Sequence, residues 1–157
     1  MPSLLFVCTA NLCRSPMAEQ LARTRLAQAG LPDWQVASAG TWTRDGLRPD
    51  RATLQVIREL GGDLSRHRSR LLREADIASA DLVLVMEANQ REALQAEFPA
   101  HAAKVHLLSA LAGQTFDIVD PSGQDMEAYR RVAGQIRDLL TYGLEHIPAL
   151  TQGGDLA

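Results

Sequence analysis

Residues 81–86 read Asp-Leu-Val-Leu-Val-Met, apolar at every position after the first. A strand with no polar alternation has no face to offer water, so it belongs inside a sheet covered on both sides. Residues 4–8 form a second strand-length apolar run that ends in polar residues, and 34–38 and 104–107 are shorter candidates. Helical spacing fills the intervals. Pro16 stands in a first helical turn, where its missing N–H is not needed, and Met17, Leu21 and Leu26 carry the helix to about residue 29, where Gly30 stops it. Further helices are expected over 50–60, closed by Gly61 and Gly62, over 71–75 and over 88–98. A long final helix is expected over 122–145, with Tyr129, Val132, Ile136, Leu139 and Leu140 on its apolar face. Residues 39–49, with two glycines and a proline, read as a loop.

This alternation implies an α/β fold: a single domain with a central, mostly parallel four-stranded sheet flanked by helices on both faces. The domain is expected to span residues 1–148, with 149–157 a frayed tail. A chain of 157 residues is the size of one domain, and a formal charge of −3 argues against nucleic acid as a partner. No apolar run reaches the roughly 20 residues of a membrane helix. The N-terminus lacks a signal-type core, so a cytoplasmic location is expected. The two cysteines, five positions apart, make neither a disulfide framework nor a CxxC pair, and no Cys/His cluster has zinc spacing; neither a metal nor another cofactor is expected. The arginines at 66, 68, 70 and 73 read as a solvated face.

In parallel sheets ligands sit beyond the carboxyl ends of the strands, where the strand order reverses. The segment after the first strand is therefore the place for chemistry. It runs Val7-Cys8-Thr9-Ala10-Asn11-Leu12-Cys13-Arg14-Ser15-Pro16. The bare C-x5-R spacing carries little by itself; its setting between a strand and a helix start carries more. A loop wrapped round a helix N-terminus aims backbone N–H groups at one point and binds a phosphate dianion, aided by the helix dipole. The same positive field favours a thiolate on Cys8. Arg14 can grip two phosphate oxygens in a bidentate fork. The competing reading makes Cys8 a small buried apolar residue and Arg14 a surface helix residue.

At these positions the chain resembles the low-molecular-weight protein tyrosine phosphatases, whose loop reads V-C-x-G-N-x-C-R-S-P. Ser38-Ala39-Gly40, His67, the strand at 81–86 and Asp120-Pro121 match further family segments. The resemblance implies a phosphomonoester hydrolase acting on phosphotyrosine in proteins through a cysteinyl-phosphate on Cys8. It implies Arg14 as the clamp, Asp120 as general acid and then base, and Thr9, Ala10, Asn11, Leu12 and Cys13 as the phosphate loop. Asn11 is expected in a left-handed conformation, held by Ser15, Ser38 and His67.

Phosphoarginine hydrolysis, arsenate reduction, or a non-catalytic phosphate-binding or redox-sensing module on the same loop are the alternatives. Relatives acting on phosphoarginine carry threonine where this chain has Leu12. Arsenate reduction needs downstream cysteines that this chain lacks. Cys13 is either space-filling or a backup thiol for an oxidised Cys8.

Three departures from the family pattern stand out. Ala10 replaces a glycine, which costs stability if that position needs positive φ. Ser122 and Gly123 replace a bulky residue after Asp-Pro, leaving Trp42 as the candidate substrate wall or, alternatively, a loop anchor. Glu87 stands where many members have aspartate, and an altered link to His67 is expected. The sequence does not fix the oligomeric state.

Overall fold

A computed structural model describes residues 2–143 and residue 147. Four strands, β1 (Ser3–Cys8), β2 (Gln35–Gly40), β3 (Leu82–Val85) and β4 (Val105–Leu107), form one sheet in the order β2-β1-β3-β4. Every pairing is parallel. The chain moves to one side of β1 to make β2 and returns to the other to make β3. That reversal places the switch point at the carboxyl end of β1.

Among the described residues, five α-helices cover the sheet: α1 (Arg14–Gln28), α2 (Arg51–Glu59), α3 (Glu74–Ser79), α4 (Ala88–Glu97) and α5 (Met126–Gly143). Successive strand side chains go to opposite faces, and the core divides accordingly. Leu4, Phe6, Leu82, Leu84 and Met86 pack with α1, α2 and α5 through Met17, Leu21, Ile57 and Ile136. Leu5, Val7, Val83 and Val85 pack with α3 and α4 through Ile77 and Leu94. Consecutive burial on β1 and β3 therefore arises because both faces are roofed. Each such side chain contributes about 1.5–3 kcal/mol on burial.

Two expected helices differ. The helix expected over 71–75 lies at Glu74–Ser79 instead. Leu71 is taken by an isolated parallel bridge to Gly40, and its N–H donates to Asp45 Oδ1 at 2.8 Å, so the chain stays extended there. The final helix starts at Met126 rather than 122, because Gly123 sits at φ +79° and Asp125 Oδ1 accepts from Ala128 N at 3.0 Å, capping the first turn. Short 3-10 segments at Pro99–Lys104 and Leu108–Ala112 were not expected. The expected end of the last helix at 144–145 and the tail at 149–157 lie outside the described residues.

Candidate active site

The end of β1 delivers Cys8 to the switch point, and residues 9–13 turn tightly into α1. Asn11 is the one non-glycine residue with positive φ among those described, at +58°. Ala10 is therefore not in the left-handed region, and the replacement of glycine there carries no backbone strain.

Asn11 is tied down on every side. Its Nδ2 donates to Ser15 Oγ at 2.8 Å and to Ser38 Oγ at 2.9 Å, and its Oδ1 accepts from Arg70 N at 2.9 Å. His67 Nε2 donates to its carbonyl oxygen at 2.9 Å. Ser38 Oγ in turn donates to Glu19 Oε2 at 2.6 Å. These bonds hold in place a backbone geometry that side-chain-bearing residues otherwise avoid.

The end of β2 buttresses the loop from behind. Thr41 N donates to Cys8 O and Trp42 N to Thr9 O, both at 2.9 Å. Gly40 lies so close that a Cβ there would meet Thr9 O at 2.6 Å. Among the described residues, no partner takes the backbone N–H groups of residues 9–13. Five unclaimed amides leading into a helix start are available to cradle an anion.

Cys8 Sγ lies 2.9 Å from Ser15 Oγ, and both residues are buried. Ser15 Oγ already accepts from Asn11, so its own proton has two acceptors in reach, the sulfur at 2.9 Å and the more distant Ala39 carbonyl at 3.5 Å. Arg14 is 2% exposed. Its Nη1 donates to Ile118 O at 2.7 Å and lies 3.4 Å from Glu87 Oε2, while Nη2 lies 3.9 Å from Asp120 Oδ2. Those contacts set the guanidinium's orientation. They also give Glu87 its partner, Arg14, whereas His67 serves Asn11.

Cys8, Leu12, Cys13, Arg14, Asp50, Asp120 and Ser122 are among the residues that line one small cavity of about 50 Å³. Asp120 is exposed, and its Oδ1 accepts from Ser122 N at 3.0 Å. Beside this cavity lies a wider cleft of about 480 Å³, walled by Leu12, Trp42 and Leu47. Trp42 is 83% exposed, so it is no buried loop anchor. Burial pushes the Cys13 thiol up to about 12, which leaves it protonated at neutral pH.

The structure brings Cys8, Thr9, Ala10, Asn11, Leu12, Cys13, Arg14, Ser15, Ser38, His67 and Asp120 into one neighbourhood, with Trp42 at its rim. Sequence reasoning missed three contributors. Gln90 donates from Nε2 to Thr9 Oγ1 at 3.1 Å while its Oε1 accepts from the N–H groups of Met86 and Glu87. Its available signal was the Glu87-x-x-Gln90 spacing of a helix start. Asp50 accepts from the Tyr129 hydroxyl at 3.2 Å, and burial raises the proton affinity of both groups. Glu19 had no signal beyond its helical position. Among the described residues, no group of three or more His, Cys, Asp or Glu side chains is placed to hold a metal. No helix among them is long and apolar enough to cross a membrane.

The sequence pattern of the family described as low molecular weight phosphotyrosine protein phosphatase matches residues 3–149. A probable low molecular weight protein-tyrosine-phosphatase, EpsP, of Ralstonia nicotianae is 34% identical over 86% of this chain and 88% of its own length. A protein-arginine-phosphatase of Geobacillus stearothermophilus is also 34% identical, over 87% of this chain and 90% of its own. The solved low molecular weight protein tyrosine phosphatase of T. tengcongensis superposes with a TM-score of 0.88 at 35% identity, covering 93% of this chain and 99% of that one.

Proposed function

The chain belongs to the low molecular weight phosphotyrosine protein phosphatase family, and from that premise we propose that it hydrolyses phosphotyrosine in proteins, with Cys8 as the nucleophile. The observation that carries this reading is the single small cavity lined by Cys8, Arg14 and Asp120. Nucleophile, clamp and acid all face one phosphate-sized space.

The Cys8 thiolate attacks phosphorus, the P–O bond to the ring breaks, and the carboxyl proton of Asp120 goes to the departing phenolate. Water then attacks the cysteinyl-phosphate, its proton passing to the Asp120 carboxylate, and the sulfur leaves as thiolate with release of inorganic phosphate. Arg14 and the amides of residues 9–13 hold the non-bridging oxygens through both steps. The Ser15 hydroxyl stabilises the sulfur when it carries charge. The Asn11 network and Gln90 keep the loop preorganised, so little reorganisation is needed as charge moves.

The wider cleft supports tyrosine over a shorter phosphorylated side chain. A phosphate seated in the inner cavity leaves the aromatic ring against Leu12 and Trp42. With just two cysteines, both free and both in this loop, the chain has no downstream thiol to relay a disulfide outward, which disfavours arsenate reduction. A thiol nucleophile without disulfide partners suits a reducing compartment, so we place the protein in the cytoplasm, its catalytic domain spanning residues 1–148.

The test is a comparison of phosphotyrosine peptide, phosphoarginine peptide and arsenate with the purified protein. Turnover of the first with kcat/KM at least about tenfold above the second supports the reading. Preference for phosphoarginine, or thiol-dependent reduction of arsenate alone, rejects it.

A further inference from the structure

We propose that the cleft beside the phosphate loop is a docking groove for an acidic stretch of polypeptide flanking the phosphorylated side chain, with Arg44 as the residue that meets its carboxylates. The inference deepens the phosphotyrosine reading and rests on it. The cleft is far larger than the phosphate cavity it adjoins, about 480 Å³ against about 50 Å³, so it holds more than one aromatic ring. Arg44 lines it together with Trp42, Leu47 and Asp120. A tryptophan left 83% exposed at the mouth of such a cleft offers flat apolar area of the kind that protein contacts use.

The charge on this rim is positive and unclaimed. The Arg44 guanidinium has no hydrogen-bond or ion-pair partner among the described residues. Three of the four arginines of the nearby cluster already have partners. Arg70 pairs with Asp76 at 3.2 Å, Arg73 pairs with Asp45 at 2.9 Å, and Arg68 donates to the carbonyls of Ser65 and His67. Asp45, next in sequence to Arg44, is thus committed elsewhere: Arg73 holds one of its oxygens and the Leu71 N–H the other. Asp50, the next acid along, is turned inward to the Tyr129 hydroxyl. Asp120, the one acid that lines the cleft, lies 3.9 Å from Arg14 Nη2, whose charge offsets its own. This patch is local, since the whole chain carries a net charge of −3.

The loop is also held rigid. Ser69 Oγ donates to Arg44 O at 2.7 Å and accepts from Leu47 N at 2.9 Å, while Gly46 N donates to Ser69 O at 2.9 Å. The same segment, residues 67–71, secures Asn11 through His67 and the Arg70 amide. The backbone that carries Arg44 is therefore fixed relative to the phosphate loop, which lowers the cost of ordering it on binding.

The test uses three phosphotyrosine peptides that differ only in their flanking residues, which are glutamate, alanine or lysine, with p-nitrophenyl phosphate as a substrate that has no flanks. Wild-type kcat/KM is expected to rise about two- to fivefold per glutamate over the alanine peptide, the size of an exposed ion pair. The advantage is expected to shrink at about 0.5 M salt. Arg44→Ser is expected to level the series and Arg44→Glu to reverse it. Anisotropy binding of the same peptides to Cys8→Ser reads the groove without turnover. No hydrolysis of p-nitrophenyl phosphate would sink the phosphatase reading, while the binding series still judges the groove. Normal hydrolysis with a flat peptide series, or a glutamate preference that survives Arg44→Ser, would overturn the groove alone.

Discussion

Replacing Gly40 with alanine drives the end of β2 into the back of the phosphate loop. The added Cβ would stand 2.6 Å from Thr9 O and 3.0 Å from both Ala10 C and Asn11 N. Carbon–oxygen contacts normally lie at about 3.3 Å or more, so something must move by about 0.7 Å. All three neighbours are backbone, so no side chain can swing aside. Nor can β2 retreat, because Gly40 N donates to Arg70 O and Leu72 N donates to Gly40 O, both at 2.8 Å. The displacement therefore falls on residues 9–11, whose amides are proposed to hold the phosphate. A misplacement near 1 Å costs about a hundredfold in rate, so kcat/KM for an aryl phosphate should fall about 10- to 100-fold, or about 1.4–2.7 kcal/mol. Overpacking should also cost about 1–3 kcal/mol of stability. Gly30→Ala is the control. It has no heavy atom within 4 Å but sits at φ +77°, so it should lose about 1 kcal/mol of stability and keep its activity. Steady-state kinetics and thermal unfolding of both variants decide the matter. A fully active Gly40→Ala with wild-type Tm would refute the close-approach argument.

Two other substitutions probe the chemistry and the neighbouring carboxylate. Asp120→Ala should lower turnover about 10²- to 10⁴-fold on phenyl phosphate, whose phenolate leaves poorly, and distinctly less on p-nitrophenyl phosphate; equal losses would remove Asp120 from the acid role. Asp50→Asn tests the half-buried acid at the cavity edge. Burial raises the proton affinity of Asp50 in the folded state above that of the unfolded chain. The stability tied to this group is thus complete below the ordinary carboxylate range and lost as pH rises through the raised folded value. The variant has no such loss, so its Tm relative to wild type should improve from pH 4 to pH 7. A Tm difference that stays constant across that range would contradict the assignment.

The sheet was legible because its central strands are buried on both faces, which leaves consecutive apolar residues at 4–8 and 82–86 as a trace in one dimension. The phosphate loop was legible for a related reason: its cysteine, asparagine and arginine are contiguous, so local order and function coincide. Long-range contacts left weaker marks. Leu71 and Leu72 precede Arg73-Glu74-Ala75 and look helical locally, yet the partner of Leu71 is Gly40, about thirty positions earlier in the chain. The sequence named no new partner for Glu87, because its pairing with Arg14 depends on how β3 and α1 approach each other. The need for glycine at 40 is a property of two backbones meeting, and neither segment alone encodes it.

Attack by sulfur on phosphorus is tested most directly by acid-quenching the protein within milliseconds of mixing with excess aryl phosphate and mapping the phosphoryl group by mass spectrometry. A label on Cys8 that approaches one per chain in Asp120→Ala, and is lost in Cys8→Ser, is the expected result. Continued turnover with the label on another residue, or hydrolysis surviving in Cys8→Ser, would contradict it.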